Sequence, residues 1–303
     1  RVSKFFKLMK INLIIERGKV WDFESLPSKS IALDGAVMGP KIDNKNKKYS
    51  FDHHGNCIRH ATSATCVQVL DAILLGFNPE GFNVYINDID EDTVLATALL
   101  IKPDISLLEK VQNIVRAMGL IDAHGNSYPL NSEIRKEIDI LMHKVMHGFY
   151  KSKTEKISTN EDLKRLFFEC IELFYLMIDG KYKEVDITLP QVEYKIEPQT
   201  NSDWTMVHSH AHVFSEMYKQ GYNKVVLWFE MRDGSISYTI GKKSEFIDFP
   251  VKEILDNLNL FEKGWGGGST IGGAPRHLDG SRSKLKPEKV IEIINKTILH
   301  QAQ

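Results

Sequence analysis

The sequence lacks the features that define several large classes of protein. Its 303 residues include only three cysteines, Cys57, Cys66 and Cys170, and none of them forms a CxxC pair. This argues against a disulfide scaffold or a cysteine-based zinc site, and it predicts a reducing compartment. No apolar run approaches the roughly 20 residues that a membrane helix needs, and the basic N-terminal segment shows no cleavage pattern. We therefore expect a cytoplasmic protein with no membrane partner.

An excess of charge of one sign is also lacking. The formal net charge is −1 at pH 7, so no global field would attract a long nucleic acid or an anionic membrane. A phosphate-bearing partner would have to be attracted by a local site instead. The sequence is also compatible with a homodimer.

The order of apolar patterns predicts an α/β fold class. Short β-rich runs alternate with helical runs in the first 130 residues, which predicts a layered α/β domain with a mainly parallel sheet. Residues 131–190 predict a helical connector whose segment "RLFFECIELFYLMI" has core spacing. Residues 191–303 predict a smaller α/β domain, in which "KVVLWFEM", "RDG" and "SISYTIG" form a hairpin.

Four acidic spots follow apolar, β-like runs. They are "IALDG" (Asp34), "SFDHHG" (Asp52, His53, His54), "VYINDIDEDT" (Asp88, Asp90, Asp92) and "GLIDAHG" (Asp122, His124). Groups at the carboxyl ends of strands converge on one crevice in an open α/β sheet, and carboxylates gathered there repel one another unless cations neutralise them. Aspartate with histidine suits Mn²⁺, Zn²⁺ or Fe²⁺, whereas carboxylates alone favour Mg²⁺ or Ca²⁺.

Each acidic spot also has a simpler explanation. Asp34 before glycine could make a turn, which is the favoured explanation for that residue taken alone. Asp90 or Asp92 could cap the following helix, and His124 could be a surface turn residue. The adjacent histidines His53 and His54 are harder to explain by packing. The four spots taken together therefore favour a metal site.

The segment "FDHHGNCIRHATSATCVQVL" resembles the signature of the DHH phosphoesterase superfamily. The resemblance implies that Asp34 is the lone aspartate of an earlier strand and that Asp122 is the aspartate that follows a later helix. "NDIDEDTVLATALL" resembles the family's Asp-x-Asp motif, through either Asp88 and Asp90 or Asp90 and Asp92. That motif precedes the triplet in the family and follows it here.

The segment from "KVVLWFEM" to "GGGSTIGGAPR" resembles the DHH-associated C-terminal domain, in which a triple glycine binds substrate. The family's histidine after the glycines is replaced here by "STIGG". Glycines let the backbone approach an anion, hydroxyls can donate, and an arginine can clamp two phosphate oxygens; a tight structural turn is the alternative. The candidate phosphate contacts are Gly266, Gly267, Gly268, Ser269, Thr270 and Arg276, with Arg59 and His60 as second-line candidates.

Two further patterns leave alternatives open. The run "HSHAH" would place His208, His210 and His212 on one face of a strand, and we favour a polar surface or a substrate contact over a metal site. Trp265 beside the glycines could stack on a base or pack under the loop.

The resemblance implies a metal-dependent phosphoesterase whose site lies in a cleft between the domains. One or two Mn²⁺ ions, with Mg²⁺, Fe²⁺ and Zn²⁺ as alternatives, would be held by Asp34, Asp52, His53, Asp88, Asp90 and Asp122. The catalytic candidates are Asp52, His54 and Arg276, with His54 contacting the phosphate or donating a proton. The substrate would be a nucleotide or short oligonucleotide. The alternatives are an inactive metal- and nucleotide-binding regulator and a metal-dependent hydrolase of non-phosphate substrates.

Overall fold

The computed structural model describes residues 11–55, 57–58, 60–125, 128–141, 159–181, 193–197, 203–211, 213–277 and 280–301. The chain divides into two compact units. Unit 1 comprises Arg1–His124 and Tyr128–Ile187, and unit 2 comprises Gly125–Ser127 and Thr188–Gln303. Each unit has its own sheet with helices interleaved along the chain, which confirms the predicted α/β class.

Unit 1 is built on a five-stranded sheet with the strand order β1-β5-β2-β4-β3. Every neighbouring pair is parallel except the β3–β4 hairpin at the edge, which confirms the mainly parallel sheet. The central strand β2 is buried along its whole length, as parallel sheets with covered faces require. The strands are β1 (Asn12–Ile15), β2 (Ser30–Leu33), β3 (Lys41–Asp43), β4 (Lys48–Phe51) and β5 (Asn83–Ile86).

The central helix of unit 1 is buried on nearly all sides, since its residues from Asp92 to Leu100 are all buried. It begins at a capping box in which Asp90 and Thr93 exchange hydrogen bonds, and it ends before Pro103 as predicted. The helices of unit 1 are α1 (Thr65–Leu74), α2 (Glu91–Ile101), a 3₁₀ turn (Pro103–Leu107), α3 (Glu109–His124) and α4 (Asn160–Ile178), with a further helical segment at 132–141.

Helix α4 corrects the predicted helical connector. Its aromatic face is part of the core of unit 1, where Phe167 and Phe174 are fully buried. The hydroxyl of Tyr175 donates to the carbonyl of Ala98 in α2 at 2.8 Å. The predicted core spacing of this segment is therefore confirmed, but the core that it completes is that of the first unit.

Unit 2 is built on a six-stranded sheet with the order β10-β11-β9-β8-β7-β6, antiparallel except for the β7–β8 pair. The predicted hairpin around "RDG" is present between β8 and β9. The strands are β6 (Lys195–Glu197), β7 (Thr205–His208), β8 (Lys224–Glu230), β9 (Ile236–Lys242), β10 (Gly266–Gly267) and β11 (Ile271–Gly273). Its helices are α5 (Phe214–Lys219), α6 (Val251–Leu258) and α7 (Pro287–Gln301).

The two faces of this sheet carry separate apolar clusters, one packed against α6 and α7 and the other against α5. Within the described ranges, none of the helices in either unit combines the length and apolarity that crossing a bilayer requires.

Candidate metal centre

The side chain of His53 lies among three carboxylates at the carboxyl end of the unit 1 sheet. Its Nε2 atom is 2.8 Å from Asp122 Oδ2, 3.5 Å from Asp34 Oδ1 and 3.9 Å from Asp92 Oδ2. His53 and Asp92 are each 1% exposed, whereas the side chain of Asp122 is 29% exposed, so the cluster is buried on one side and open to solvent at Asp122. His53, Asp92 and Asp122 each offer an atom within 4.8 Å of the others, which is a spacing that could hold a metal ion.

A second group shares His53 with the first. Asp34, His53 and His54 also offer atoms within 4.8 Å of one another. His54 Nδ1 lies 3.3 Å from Asp34 Oδ1. Two overlapping donor groups around one histidine form a single candidate centre, which we call the His53 cluster (Asp34, His53, His54, Asp92 and Asp122).

Asp34 reaches this cluster from the end of β2, as the strand-end pattern predicted. Its backbone is left-handed, with φ 44°, and Gly35 follows with φ 75°. Such a φ is uncommon outside glycine, although aspartate tolerates it better than most residues. The predicted turn is therefore present. It also directs the buried carboxylate of Asp34 toward Thr65, whose Oγ1 donates a hydrogen bond to Asp34 Oδ1 at 3.2 Å.

Asp92 is the cluster residue that the sequence left most open. Its two oxygens accept hydrogen bonds from the backbone N–H groups of Thr65 and Cys66 at 2.8 and 2.7 Å. These groups belong to the N-terminal turn of α1, which favours negative charge. Asp90, and not Asp92, caps α2. The signal available in the sequence was an aspartate at the start of an otherwise apolar helix.

Asp122 lies in the last turn of α3. This agrees with the helix that the resemblance places before Asp122, and it corrects the reading of "GLIDAHG" as a β-like run. Helix α3 approaches α1 closely because Gly119 has no side chain. A Cβ atom at Gly119 would lie 2.5 Å from Val67 Cγ2 and 3.3 Å from Ala64 Cβ. This close contact brings the last turn of α3, with Asp122, up to His53.

Asp52 lies outside the cluster, in contrast to its predicted role as a ligand. It is fully buried, and its oxygens accept from the N–H groups of Gly35 at 2.8 Å and Gly39 at 2.6 Å. Its Oδ1 also lies 2.8 Å from His54 Nδ1. Asp52 therefore holds the loop after β2 and orients His54.

The charges of the cluster favour a cation. Burial and the nearby charge of Asp34 raise the pKa of Asp90 well above its usual value. Burial and the charges of Asp122 and Asp34 raise the pKa of Asp92 to about 6. Carboxylates that resist ionisation beside one another are stabilised in their ionised form by a bound cation. One imidazole with three carboxylates is a donor set that suits Mn²⁺, Zn²⁺ or Fe²⁺.

His54 differs from His53 in its partners and its exposure. Its hydrogen bonds with Asp34 and Asp52 raise its pKa to about 10, so the imidazole is a cation at neutral pH in the metal-free protein. Burial favours the neutral form of Asp34, but hydrogen bonds with His53 and His54 outweigh it and lower the pKa of Asp34. The side chain of His54 is 37% exposed. Because Nδ1 of His54 is bonded to the carboxylates of Asp34 and Asp52, Nε2 is the ring nitrogen that can contact a ligand.

Two other predicted residues do not join the cluster, and a third lies beside it. The side chain of Asp88 is half exposed and lies 3.9 Å from Arg17 Nε. Asp90 caps α2, where it accepts from Thr93 N–H at 2.7 Å, and its carboxyl also lies beside that of Asp34. His60 is exposed, and Arg59 lies outside the described residues.

Glu91 is an acidic residue beside the cluster that was not predicted from the sequence. Burial and the charge of Asp122 raise the pKa of Glu91 to about 7, and its buried Oε1 atom has no hydrogen-bond partner among the described residues. In the sequence, Glu91 lies between Asp90 and Asp92, so nothing distinguished it from the neighbouring acidic residues.

The glycine segment of unit 2 is a short hairpin. Strands β10 and β11 pair so closely that a Cβ atom at Gly267 would lie 2.2 Å from Gly272 Cα. The N–H of Gly268 donates to Ile271 O at 2.7 Å, and Ser269 Oγ bonds the carboxylate of Glu245. Close backbone packing thus accounts for Gly267, whereas a Cβ atom at Gly266 or Gly268 would meet no close neighbour. Phosphate binding by Gly266–Gly268, Ser269 and Thr270 stays a prediction.

The structure also gives the positions of the other residues of unit 2 that were considered as ligand contacts. Trp265 is 4% exposed and packs on Tyr238, with ring centroids 5.6 Å apart, which favours packing over stacking on a base. Arg276 is exposed. His208 ends β7 and contacts the ring of His210 at 5.7 Å, while His212 lies outside the described residues.

Comparison with known proteins adds no family to this geometry. No protein-family model matches the chain, and no curated protein matches it. The resemblance to the DHH superfamily therefore stays a prediction, and the functional conclusion depends on the His53 cluster itself.

Proposed function

We propose that the chain is a metal-dependent hydrolase of small phosphate esters. The observation that carries the proposal is the convergence of buried His53 with the carboxylates of Asp34, Asp92 and Asp122, next to the partly exposed imidazole of His54. Mn²⁺ fits this donor set, and Mg²⁺, Fe²⁺ and Zn²⁺ remain alternatives. His53, Asp92 and Asp122 would bind the ion, and the carboxylate of Asp34 would lie beside it.

A divalent ion bound there supplies a water molecule of lowered pKa and neutralises charge that develops on the phosphate. The protein's own contribution begins with His54. Its cationic ring is fixed through Nδ1 by Asp52 at 2.8 Å, so Nε2 can donate a hydrogen bond to a phosphate oxygen or a proton to the leaving oxygen. Asp52 is a positioning residue in this scheme, because both of its oxygens are already bonded within the fold.

The proposed substrate is a nucleotide-type phosphate ester, either a monoester or a diester. A divalent cation with an imidazole N–H beside it favours an anionic group over a neutral ester or amide. The absence of an overall positive charge in the sequence favours a short substrate over a long nucleic acid. The resemblance to the DHH superfamily supports the same class of substrate.

The test is Mn²⁺-dependent phosphate release from a panel of dinucleotides and nucleoside phosphates, together with calorimetric binding of Mn²⁺. We expect the wild type to bind Mn²⁺ and release phosphate, and His53→Ala to lose both. His277→Ala, at an exposed histidine of unit 2, is the matched control and should bind Mn²⁺ normally. Binding of Mn²⁺ without turnover of any panel member would instead indicate a metal-binding regulator, and a wild type that binds no divalent ion would refute the proposal.

A further inference from the structure

Helix α1 supplies no member of the His53 cluster, yet it contacts each segment that carries one. Its N-terminal turn bonds Asp34 after β2 and Asp92 at the start of α2. Further along the helix, Gln68 Nε2 donates to Asp52 O at 2.9 Å, in the segment of the two histidines. The close packing at Gly119 joins α1 to α3. The relative positions of the cluster residues therefore depend on α1.

Thr65 is the residue of α1 that bonds two carboxylates of the cluster at once. Its backbone N–H donates to Asp92 Oδ2 at 2.8 Å, and its hydroxyl donates to Asp34 Oδ1 at 3.2 Å. Thr65 is fully buried, so water does not compete for either bond. One buried residue thus fixes the carboxylate that follows β2 and the carboxylate that begins α2 relative to the same helix turn.

The N-terminal turn of α1 has no local cap. Ala64 occupies the N-cap position without a side-chain hydrogen bond, and the first turn contains no acidic residue. The N–H groups of such a turn need acceptors from elsewhere. Both oxygens of Asp92 provide them, for the N–H groups of Thr65 and Cys66. Since a carboxylate oxygen has more than one lone pair, Asp92 can accept these bonds and still contact a cation.

The hydroxyl of Thr65 has one hydrogen and two acceptors within reach. Besides Asp34 Oδ1, the carbonyl oxygen of Phe51 at the end of β4 lies 3.1 Å from Oγ1. Because Phe51 can also accept, the hydroxyl keeps a buried partner when the charge of Asp34 is shared with a cation. A side chain of the same shape without a hydroxyl would leave the carboxylate of Asp34 less firmly oriented.

We propose that Thr65 is a positioning residue of the metal centre, which holds the carboxylates of Asp34 and Asp92 in the arrangement that binds a divalent ion. Thr65 is not itself a ligand and acts through these two carboxylates. This inference rests on the metal site of the proposed function, and it concerns binding of the ion, not turnover. The hydroxyl serves Asp34 and the backbone N–H serves Asp92, so a change of the side chain removes the first bond alone.

The test is calorimetric titration of the full chain with Mn²⁺, together with chemical denaturation of the metal-free protein. Thr65→Val keeps the shape of the side chain and the N–H bond to Asp92 but removes the hydroxyl. It should weaken Mn²⁺ binding by about tenfold or more, as for other groups that orient metal ligands. Thr65→Ser keeps the hydroxyl and loses a buried methyl group, so it should bind Mn²⁺ almost like the wild type even where it is the less stable variant.

Thr97→Val is the matched control. Thr97 is also fully buried, but its hydroxyl has no hydrogen-bond partner among the described residues. Removing that hydroxyl should leave the affinity for Mn²⁺ unchanged. A loss of affinity in Thr65→Val that the control does not share is therefore assigned to the bond with Asp34, and not to a general change in the core.

Two results would overturn the role of Thr65 while leaving the metal site intact. One is equal Mn²⁺ binding by the wild type and Thr65→Val, and the other is a set of affinities that follows the stabilities of the variants and not the presence of the hydroxyl. If Thr65→Val does not fold, Thr65→Ala and Thr65→Ser decide, because both lack the methyl group and only alanine lacks the hydroxyl; equal affinities of these two would overturn the proposal. A wild type that binds no divalent ion would overturn this proposal and the proposed function together.

Discussion

His53 Nε2 lies 2.8 Å from Asp122 Oδ2, although one residue follows a strand and the other ends a helix. The pair exists because α3 packs against α1 through Gly119. It joins a residue of the histidine motif to a residue far along the chain. The candidate metal centre therefore depends on helix packing as much as on the sheet.

The first prediction concerns Asp122 as a ligand. Asp122→Asn removes a negative charge and one strong donor oxygen from the cluster, so we expect affinity for Mn²⁺ to fall by about tenfold to a hundredfold. Asp88→Asn makes the same chemical change at a half-exposed aspartate outside the cluster and should bind Mn²⁺ normally. Calorimetric titration of both variants is the measurement. Equal affinities for the two variants would remove Asp122 from the ligand set.

The second prediction concerns the charge that Asp52 provides to His54. Hydrogen bonds with Asp34 and Asp52 raise the pKa of His54 to about 10. Asp52→Asn keeps the shape of the side chain but removes its charge, so we expect the pKa of His54 in the metal-free protein to fall by at least about 1. An NMR titration of the imidazole measures it. Asp43→Asn, at a partly exposed aspartate in β3 outside the cluster, should leave this pKa unchanged.

The third prediction concerns pH and metal affinity. Burial and neighbouring charges raise the pKa of Asp92 to about 6, and a protonated carboxyl cannot bind a cation. We therefore expect affinity for Mn²⁺ to fall as the pH drops through 6 and to level off well above it, with protons released on binding. Calorimetry in buffers of different ionisation enthalpy measures both effects. An affinity that does not change between pH 5 and pH 8, a range that spans about 1 or more on either side of that pKa, would contradict this account.

The fourth prediction concerns the contact between α1 and α3. A Cβ atom at Gly119 would lie 2.5 Å from Val67 Cγ2, so Gly119→Ala should destabilise unit 1 by about 1 to 3 kcal/mol and displace Asp122. Chemical denaturation measures the free energy of unfolding, and Mn²⁺ titration measures the effect on the cluster. The double variant Gly119→Ala with Val67→Ala makes room for the new methyl group. It should recover Mn²⁺ affinity, and a failure to do so would show that the close contact is not what positions Asp122.

Much of the fold could be predicted from the sequence because strand ends, helix ends and turns are determined by short local patterns of residues. Asp34 and the His53–His54 pair follow their strands as the pattern predicted. Pro103 marks the end of α2, and the turn "RDG" joins β8 to β9. In each case the signal is carried by a few neighbouring residues.

The errors arose where long-range contacts decide. Whether Asp92 caps its own helix or accepts N–H groups from α1 depends on how two helices meet. The role of Asp52 depends on a loop that closes over it. The glycine segment could equally well bind an anion or let two strands pack closely. The structure shows that close packing requires glycine at Gly267, Gly272 and Gly273.

The position of helix α4 in the core of unit 1 has a consequence for biosynthesis. Every residue of the His53 cluster leaves the ribosome before α4 does, yet α4 supplies the hydroxyl of Tyr175 that bonds α2 and the aromatic face that covers it. A nascent chain that stops short of α4 holds every residue of the His53 cluster, but α2, which carries Asp92, is not yet covered. Tight capture of a metal ion should therefore wait until α4 has been synthesised, which links metal loading to the completion of the first unit.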